Sequence, residues 1–121
     1  MKYLALVYYQ DAKMKAMGQP EWQALNEECL ACGEGLTAEG HMLAGQALQG
    51  VDSATTVRVR GGKVTTTDGP FAETKEQLAG FYLLEARDLN EAIRLASRIP
   101  PARYGCIEVR PVRELAPPFS Y

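Results

Sequence analysis

The stretch KYLALVYY, Lys2 to Tyr9, decides the fold class, because apolar residues occupy both of its alternating sets. One set holds Leu4, Leu6 and Tyr8, and the other holds Tyr3, Ala5 and Val7. Successive side chains of a β-strand point to opposite faces of its sheet, so a strand that is apolar on both sides is covered on both faces. The pattern therefore predicts a central strand, and residues 80–86 repeat it as a second one.

Two helices are predicted from apolar residues that recur at intervals of three and four. The first covers residues 20–40 and begins at Pro20. The second begins at Asp88, where Glu91 completes a capping-box pattern, and ends at Pro100. The expected buried stripes are Trp22, Leu25, Cys29, Cys32 and Leu36 in the first helix, and Leu89, Ala92, Ile93, Ala96 and Ile99 in the second.

The remaining strands are expected at residues 41–48, 55–60, 64–67 and 104–110, and a loop at residues 10–19. The Gly61-Gly62 pair predicts a hairpin between the second and third of these strands. Without that inserted hairpin strand, the order is β-α-β-β-α-β, an α+β fold of the ferredoxin-like type. Its helices cover one face of the sheet, so the apolar second face predicts a homodimer packed sheet to sheet.

Length and composition indicate one globular domain over residues 1–121, with a core at 1–113 and a C-terminal tail at 114–121. The net charge of −2 argues against direct nucleic-acid binding, which normally requires a basic excess. No apolar run reaches the roughly 18 residues of a membrane span, and the N-terminus lacks the features of a secretory signal. Three cysteines do not form a disulfide framework, so we expect a reducing, cytoplasmic location.

The twelve residues TDGPFAETKEQL, Thr67 to Leu78, resemble the signature of the YCII-related family in its DGPF subgroup. The flanking segments ATTVR at 54–58 and IEVRP at 107–111 are also similar to that family. The resemblance extends over residues 3–111 and implies the dimeric α+β barrel fold, in which two ferredoxin-like sheets pack face to face.

The resemblance implies several functions rather than one, and a fold alone does not choose among them. Relatives include small-molecule isomerases, monooxygenases and dehydrochlorinases, together with members of no assigned activity. Some DGPF-type proteins are encoded beside, or fused to, extracytoplasmic-function sigma factors. In the enzyme-like branch, a histidine on the first helix pairs with an aspartate near the glycine-proline turn. Here Asp68 matches that aspartate, but the single histidine, His41, follows the helix instead.

Asp68 and His41 are the candidate catalytic residues. A carboxylate near a cleft of low dielectric can have a raised pKa and transfer protons. The alternative is that Asp68 caps its turn by accepting backbone N–H bonds. His41 is the one side chain whose ordinary pKa lies near neutrality, and its alternative is a surface or hydrogen-bonded residue.

Candidate ligand contacts are Gly69, Pro70 and Phe71 in the motif, and Arg58 in the preceding strand. Phe71 either forms the wall of a pocket or anchors its loop on the core. If Val57 and Val59 face the core, Arg58 faces solvent or a cleft and can bind an anion. The alternative is a solvated strand face.

Cys29 and Cys32 have the CxxC spacing of redox or zinc sites. Both fall on the predicted buried stripe, and the chain has no second CxxC to complete four ligands, so we expect core cysteines. No cofactor fingerprint is present, and no cofactor or metal is expected.

Three functions are compatible with the sequence. The first is a dimeric small-molecule-binding or regulatory module without catalysis. The second is a cofactor-free enzyme that acts on a small aromatic or enolisable substrate, with Asp68 as acid and base. The third, which rests on the family resemblance, is an interaction partner of an extracytoplasmic-function sigma factor.

Overall fold

A computed structural model describes residues 1–119 and residue 121. Its strands are β1 (Lys2–Tyr9), β2 (Met42–Ala47), β3 (Thr55–Arg60), β4 (Lys63–Asp68), β5 (Gln77–Glu85) and β6 (Cys106–Pro111). Its α-helices are α1 (Asp11–Lys15), α2 (Gln19–Ala38) and α3 (Leu89–Ala96), and short 3₁₀ turns occur at Val51–Ser53 and Pro100–Arg103.

The main sheet has four strands in the order β2-β5-β1-β6, and every neighbouring pair is antiparallel. This is the ferredoxin-like α+β arrangement, so the predicted fold class is confirmed. The two strands predicted to be central, β1 and β5, are the inner strands. Each of these two strands therefore has a hydrogen-bonded neighbour on both edges.

The hydrophobic core lies between α2, α3 and one face of the sheet, which we call the inner face. Tyr3, Ala5 and Val7 of β1 point to this side and are buried. Leu36 of α2 and Leu95 of α3 pack into the same cluster. The alternating set that begins at Tyr3 is therefore the set that the helices cover.

The opposite, outer face of the sheet carries the second apolar set. Leu4 and Leu6 of β1 are half-buried there and pair directly with Leu83 and Phe81 of β5. Glu108 and Arg110 of β6 flank them on the next strand. Because α2 and α3 pack on the inner face, neither of them covers this surface.

The predicted hairpin is present, but the condition that Val57 and Val59 face the core is not met. Strands β3 and β4 form a separate two-stranded sheet. Val57 and Val59 are 61% and 57% exposed, whereas Arg58 on the other side is half-buried. The valine side therefore does not face the core of its own chain.

The capping residues predicted the start of α3 correctly, whereas the apolar stripe predicted its buried side only in part. The Glu91 N–H donates to the Asp88 carboxylate at 2.9 Å, so the predicted cap is confirmed. Ala92 and Ala96 are buried as expected, but Leu89 and Ile93 are exposed. The buried apolar residues of α3 are therefore Ala92, Leu95 and Ala96.

The segment predicted as a loop at residues 10–19 contains the short helix α1. Met14 is its buried residue, and a single apolar anchor gives no periodic signal in the sequence. Over the described residues, no helix has both the length and the apolar character needed to cross a membrane.

Candidate functional site

A groove of about 780 Å³ opens between α2 and the inner face near the β2 edge of the sheet. Small residues form its floor, among them Gly45 and Ala47 of β2 and Gly80 of β5. A Cβ atom at Gly80 would lie 2.7 Å from the carbonyl oxygen of Gln46, so the two strands approach closely only because this residue is glycine. The floor of the groove is thus formed partly by closely spaced backbone.

The walls of the groove are mainly apolar and aromatic. Leu25, Cys29 and Gly33 of α2 form one side, and the rings of Tyr9 and Tyr82 contribute from the sheet. Such a lining, with a few polar groups, is typical of small-molecule sites.

A second, more polar cavity of about 430 Å³ adjoins the groove. Tyr9 and Trp22 line both spaces, and Asp11 and Lys15 line the second alone. Trp22 is the only tryptophan of the chain, so its fluorescence reports on the boundary between the two spaces.

The tyrosine hydroxyls and the cysteine thiol that line the groove stay protonated at neutral pH. Burial raises the pKa of Tyr82 to about 12, and the neighbouring Cys29 and Cys32 add to the shift. Burial likewise raises the pKa of Tyr9 and of the Cys29 thiol. These side chains therefore present neutral O–H and S–H groups to the groove.

The two cysteines of the CxxC spacing are half-buried rather than enclosed in the core. The Cys32 thiol donates to the carbonyl oxygen of Arg98 at 3.5 Å, and Cys29 lines the groove. Burial raises the pKa of both thiols, which disfavours the reactive thiolate. In the described part of the chain, no three His, Cys, Asp or Glu residues are arranged to hold a metal ion.

The motif turn at Asp68 is held by hydrogen bonds with Ala54 and Thr56, at the start of β3. The Gly69 N–H donates to the Ala54 carbonyl at 2.7 Å, and the Thr56 hydroxyl donates to the Gly69 carbonyl at 2.8 Å. Gly69 has φ +105°, a conformation that favours glycine. Asp68 itself is exposed at the end of β4.

His41 lies at the opposite end of the sheet from this turn. Its Nδ1 is 2.9 Å from the carbonyl oxygen of Glu85, the last residue of β5. The motif turn lies near the other end of β5. It is hydrogen-bonded to the 51–54 segment, and the Val51 N–H of that segment donates to the Asp11 carboxylate. The Asp11 N–H in turn donates to the side chain of Gln77, the first residue of β5. The structure therefore does not bring the two candidate catalytic residues together.

The other predicted contacts are also spread out. Phe71 is 78% exposed, Pro70 is exposed beside it, and neither lines the groove. Arg58 is half-buried on the hairpin. Sequence reasoning missed the groove residues, although glycines at 45 and 80 inside predicted strands are a recognised signal of close approach.

A scan against family models identifies the chain as a YCII-related domain over residues 1–116. The chain belongs to the YCII-related family. This confirms the resemblance at the level of the family, while membership of the DGPF subgroup stays a prediction.

This YCII-related protein is also similar to an uncharacterized protein of Rhizobium meliloti (strain 1021). The two are 33% identical over 114 residues, which cover 93% of this chain and 92% of the relative. The likeness thus extends over nearly the whole of both proteins.

Proposed function

We propose that this YCII-related protein is a dimeric module that binds an apolar small molecule in the groove between α2 and the sheet. The observation that carries the proposal is the groove itself, about 780 Å³ with a mainly apolar wall. Its size lies within the range of roughly 300–1,000 Å³ for ligand pockets. Gly45 and Gly80 contribute to its floor, and a Cβ atom at either position would collide with neighbouring atoms of the protein.

The dimer is the second part of the proposal. Two copies would pack through the outer face, where Leu4, Leu6, Phe81 and Leu83 form a continuous apolar patch. Such a contact leaves the groove open, because the groove lies on the inner face with α2. Assembly and ligand binding would therefore use different sides of the sheet.

The binding test uses N-phenyl-1-naphthylamine, an uncharged probe whose fluorescence rises in apolar sites. We expect saturable binding together with quenching of Trp22, because that residue lines the groove. The matched variants are Gly33→Leu and Ala31→Leu, which add the same side chain to α2. Gly33 lines the groove, and a Cβ there would lie 3.5 Å from the Met42 sulfur, an ordinary contact.

Gly33→Leu should weaken probe binding by about tenfold or more, which is about 1.4 kcal/mol. Ala31→Leu, at an exposed position outside the groove, should leave binding unchanged. Equal affinity in the two variants, or no saturable binding by the native protein, would contradict the proposal.

A further inference from the structure

The wall of the groove carries charge of one sign only, which is negative. Among the described residues that line it, Glu34 is the single side chain that carries a charge at neutral pH, and no lysine, arginine or histidine takes part. Glu34 belongs to none of the ion pairs found in residues 1–119. An anion entering the groove would thus meet a negative charge and no cation among the residues that line it.

The hydroxyls of two groove residues, Tyr9 and Tyr82, are neutral hydrogen-bond donors. Among the side-chain hydrogen bonds of the described residues, none involves the hydroxyl of Tyr9 or Tyr82, and both residues line the groove. Their pKa values are raised by burial, so they remain donors across the physiological range. A phenol O–H can bond to a carbonyl or ether oxygen, but it does not compensate the desolvation of a carboxylate as a cation does.

Aromatic rings also line the groove and can contact the ring of a ligand. Trp22, Tyr9 and Tyr82 line the groove together, and aromatic pairs favour stacked or edge-to-face contacts with other rings.

We propose that the groove selects uncharged aromatic molecules and that it rejects anionic ones. This inference rests on the proposed function and concerns the ligand class of the same site. Glu34 is the residue that determines the charge preference, because no other lining residue carries a charge.

The experiment compares two probes with one aryl-amine skeleton. N-Phenyl-1-naphthylamine is uncharged, and 8-anilinonaphthalene-1-sulfonate adds one negative charge. With the native protein, we expect the sulfonate to bind about tenfold or more weakly than the uncharged probe. Competition between the two probes shows whether they share the site.

Two charge-reversal variants separate the effect of the charge at the groove from the effect of the net charge of the protein. Glu34→Lys should strengthen sulfonate binding by about tenfold or more, with little change for the uncharged probe. Glu73→Lys changes the net charge equally, but Glu73 is exposed in the motif loop and does not line the groove, so it should leave both affinities unchanged.

The outcomes distinguish the two proposals. If neither probe binds, the proposed function fails. If the uncharged probe binds at the groove but the sulfonate binds equally well, or if the two charge reversals act alike, the groove remains a binding site and the inferred selectivity is wrong.

Discussion

Glu91 shows how one side chain joins a helix cap to an ion pair. Its carboxylate accepts the Arg87 backbone N–H at 2.9 Å and contacts the guanidinium groups of Arg87 and Arg94. The side chain is buried although it is charged. These contacts lower the pKa of Glu91, and the Arg87 backbone bond is the largest cause.

The lowered pKa of Glu91 predicts a pH dependence of stability. A carboxyl whose folded pKa lies below its unfolded pKa, about 4.3, binds more protons in the unfolded state. Its contribution is therefore complete above about pH 5 and declines as the pH falls through the folded pKa. Urea unfolding at a series of pH values should show a smaller acid-side loss in Glu91→Gln than in the native protein.

The matched control for Glu91 is Glu73→Gln, which changes an exposed carboxyl in the motif loop. Its acid-side slope should follow that of the native protein. Identical slopes for Glu91→Gln and Glu73→Gln would show that the cap does not contribute to the pH dependence.

Gly105 is a position where any side chain should destabilise the fold. A Cβ atom there would overlap the carbonyl oxygen of Tyr8, next to the start of β6. The backbone is less able to move than a flexible side chain, so Gly105→Ala should cost about 1–3 kcal/mol in the free energy of unfolding. Chemical denaturation measures this cost, and an unchanged midpoint would mean that β6 can shift away from β1.

At the scale of elements, α2 carries two glycines inside its helical range. Cβ atoms at Gly33 and Gly35 would meet neighbouring side chains at 3.5 Å or more, so an alanine fits at both places. Each Gly→Ala change should raise the free energy of unfolding by about 0.5–1 kcal/mol, because alanine has the higher helix propensity. Thermal unfolding of the single and double variants tests this, and a lower melting temperature would indicate hidden crowding.

The elements also show how much the sequence could predict. The alternation in residues 2–9 and the Asp88–Glu91 cap depend on neighbouring positions, so they were correctly predicted from the sequence. The exposure of Val57 and Val59 was not, because alternation indicates which residues share a face and not which layer covers it.

The candidate site was harder to predict for the same reason. The motif turn at Asp68 was correctly located, as its glycine and proline act locally. The groove, in contrast, joins α2 to β2 and β5, which lie far apart in the sequence. The shape of the groove depends on how these elements pack together, and a pattern of neighbouring residues in the sequence does not predict that packing.

At the scale of the whole molecule, we expect a dimer in solution. Light scattering at micromolar concentration should give twice the chain mass of 13.3 kDa. Leu6→Glu on the outer face should shift the protein to monomer, because it places a charge in the proposed apolar contact. A monomeric native protein would refute the assembly.

The control for the dimer is Leu89→Glu, which changes an exposed leucine on α3, away from the outer face. It should leave the mass at twice that of the chain. Dissociation by both variants would point to general destabilisation rather than to a contact through the sheet.

The pairing of β1 has a consequence for synthesis on the ribosome. The strand is made first, yet its partners are β5 and β6, and Tyr3 lies opposite both Leu84 and Pro111. At roughly 5–20 residues per second, translation leaves β1 without a partner for several seconds. A nascent chain that has passed Ala47 has completed β2 but not β5, so its two-sided apolar strand is open to chaperones until the second half emerges.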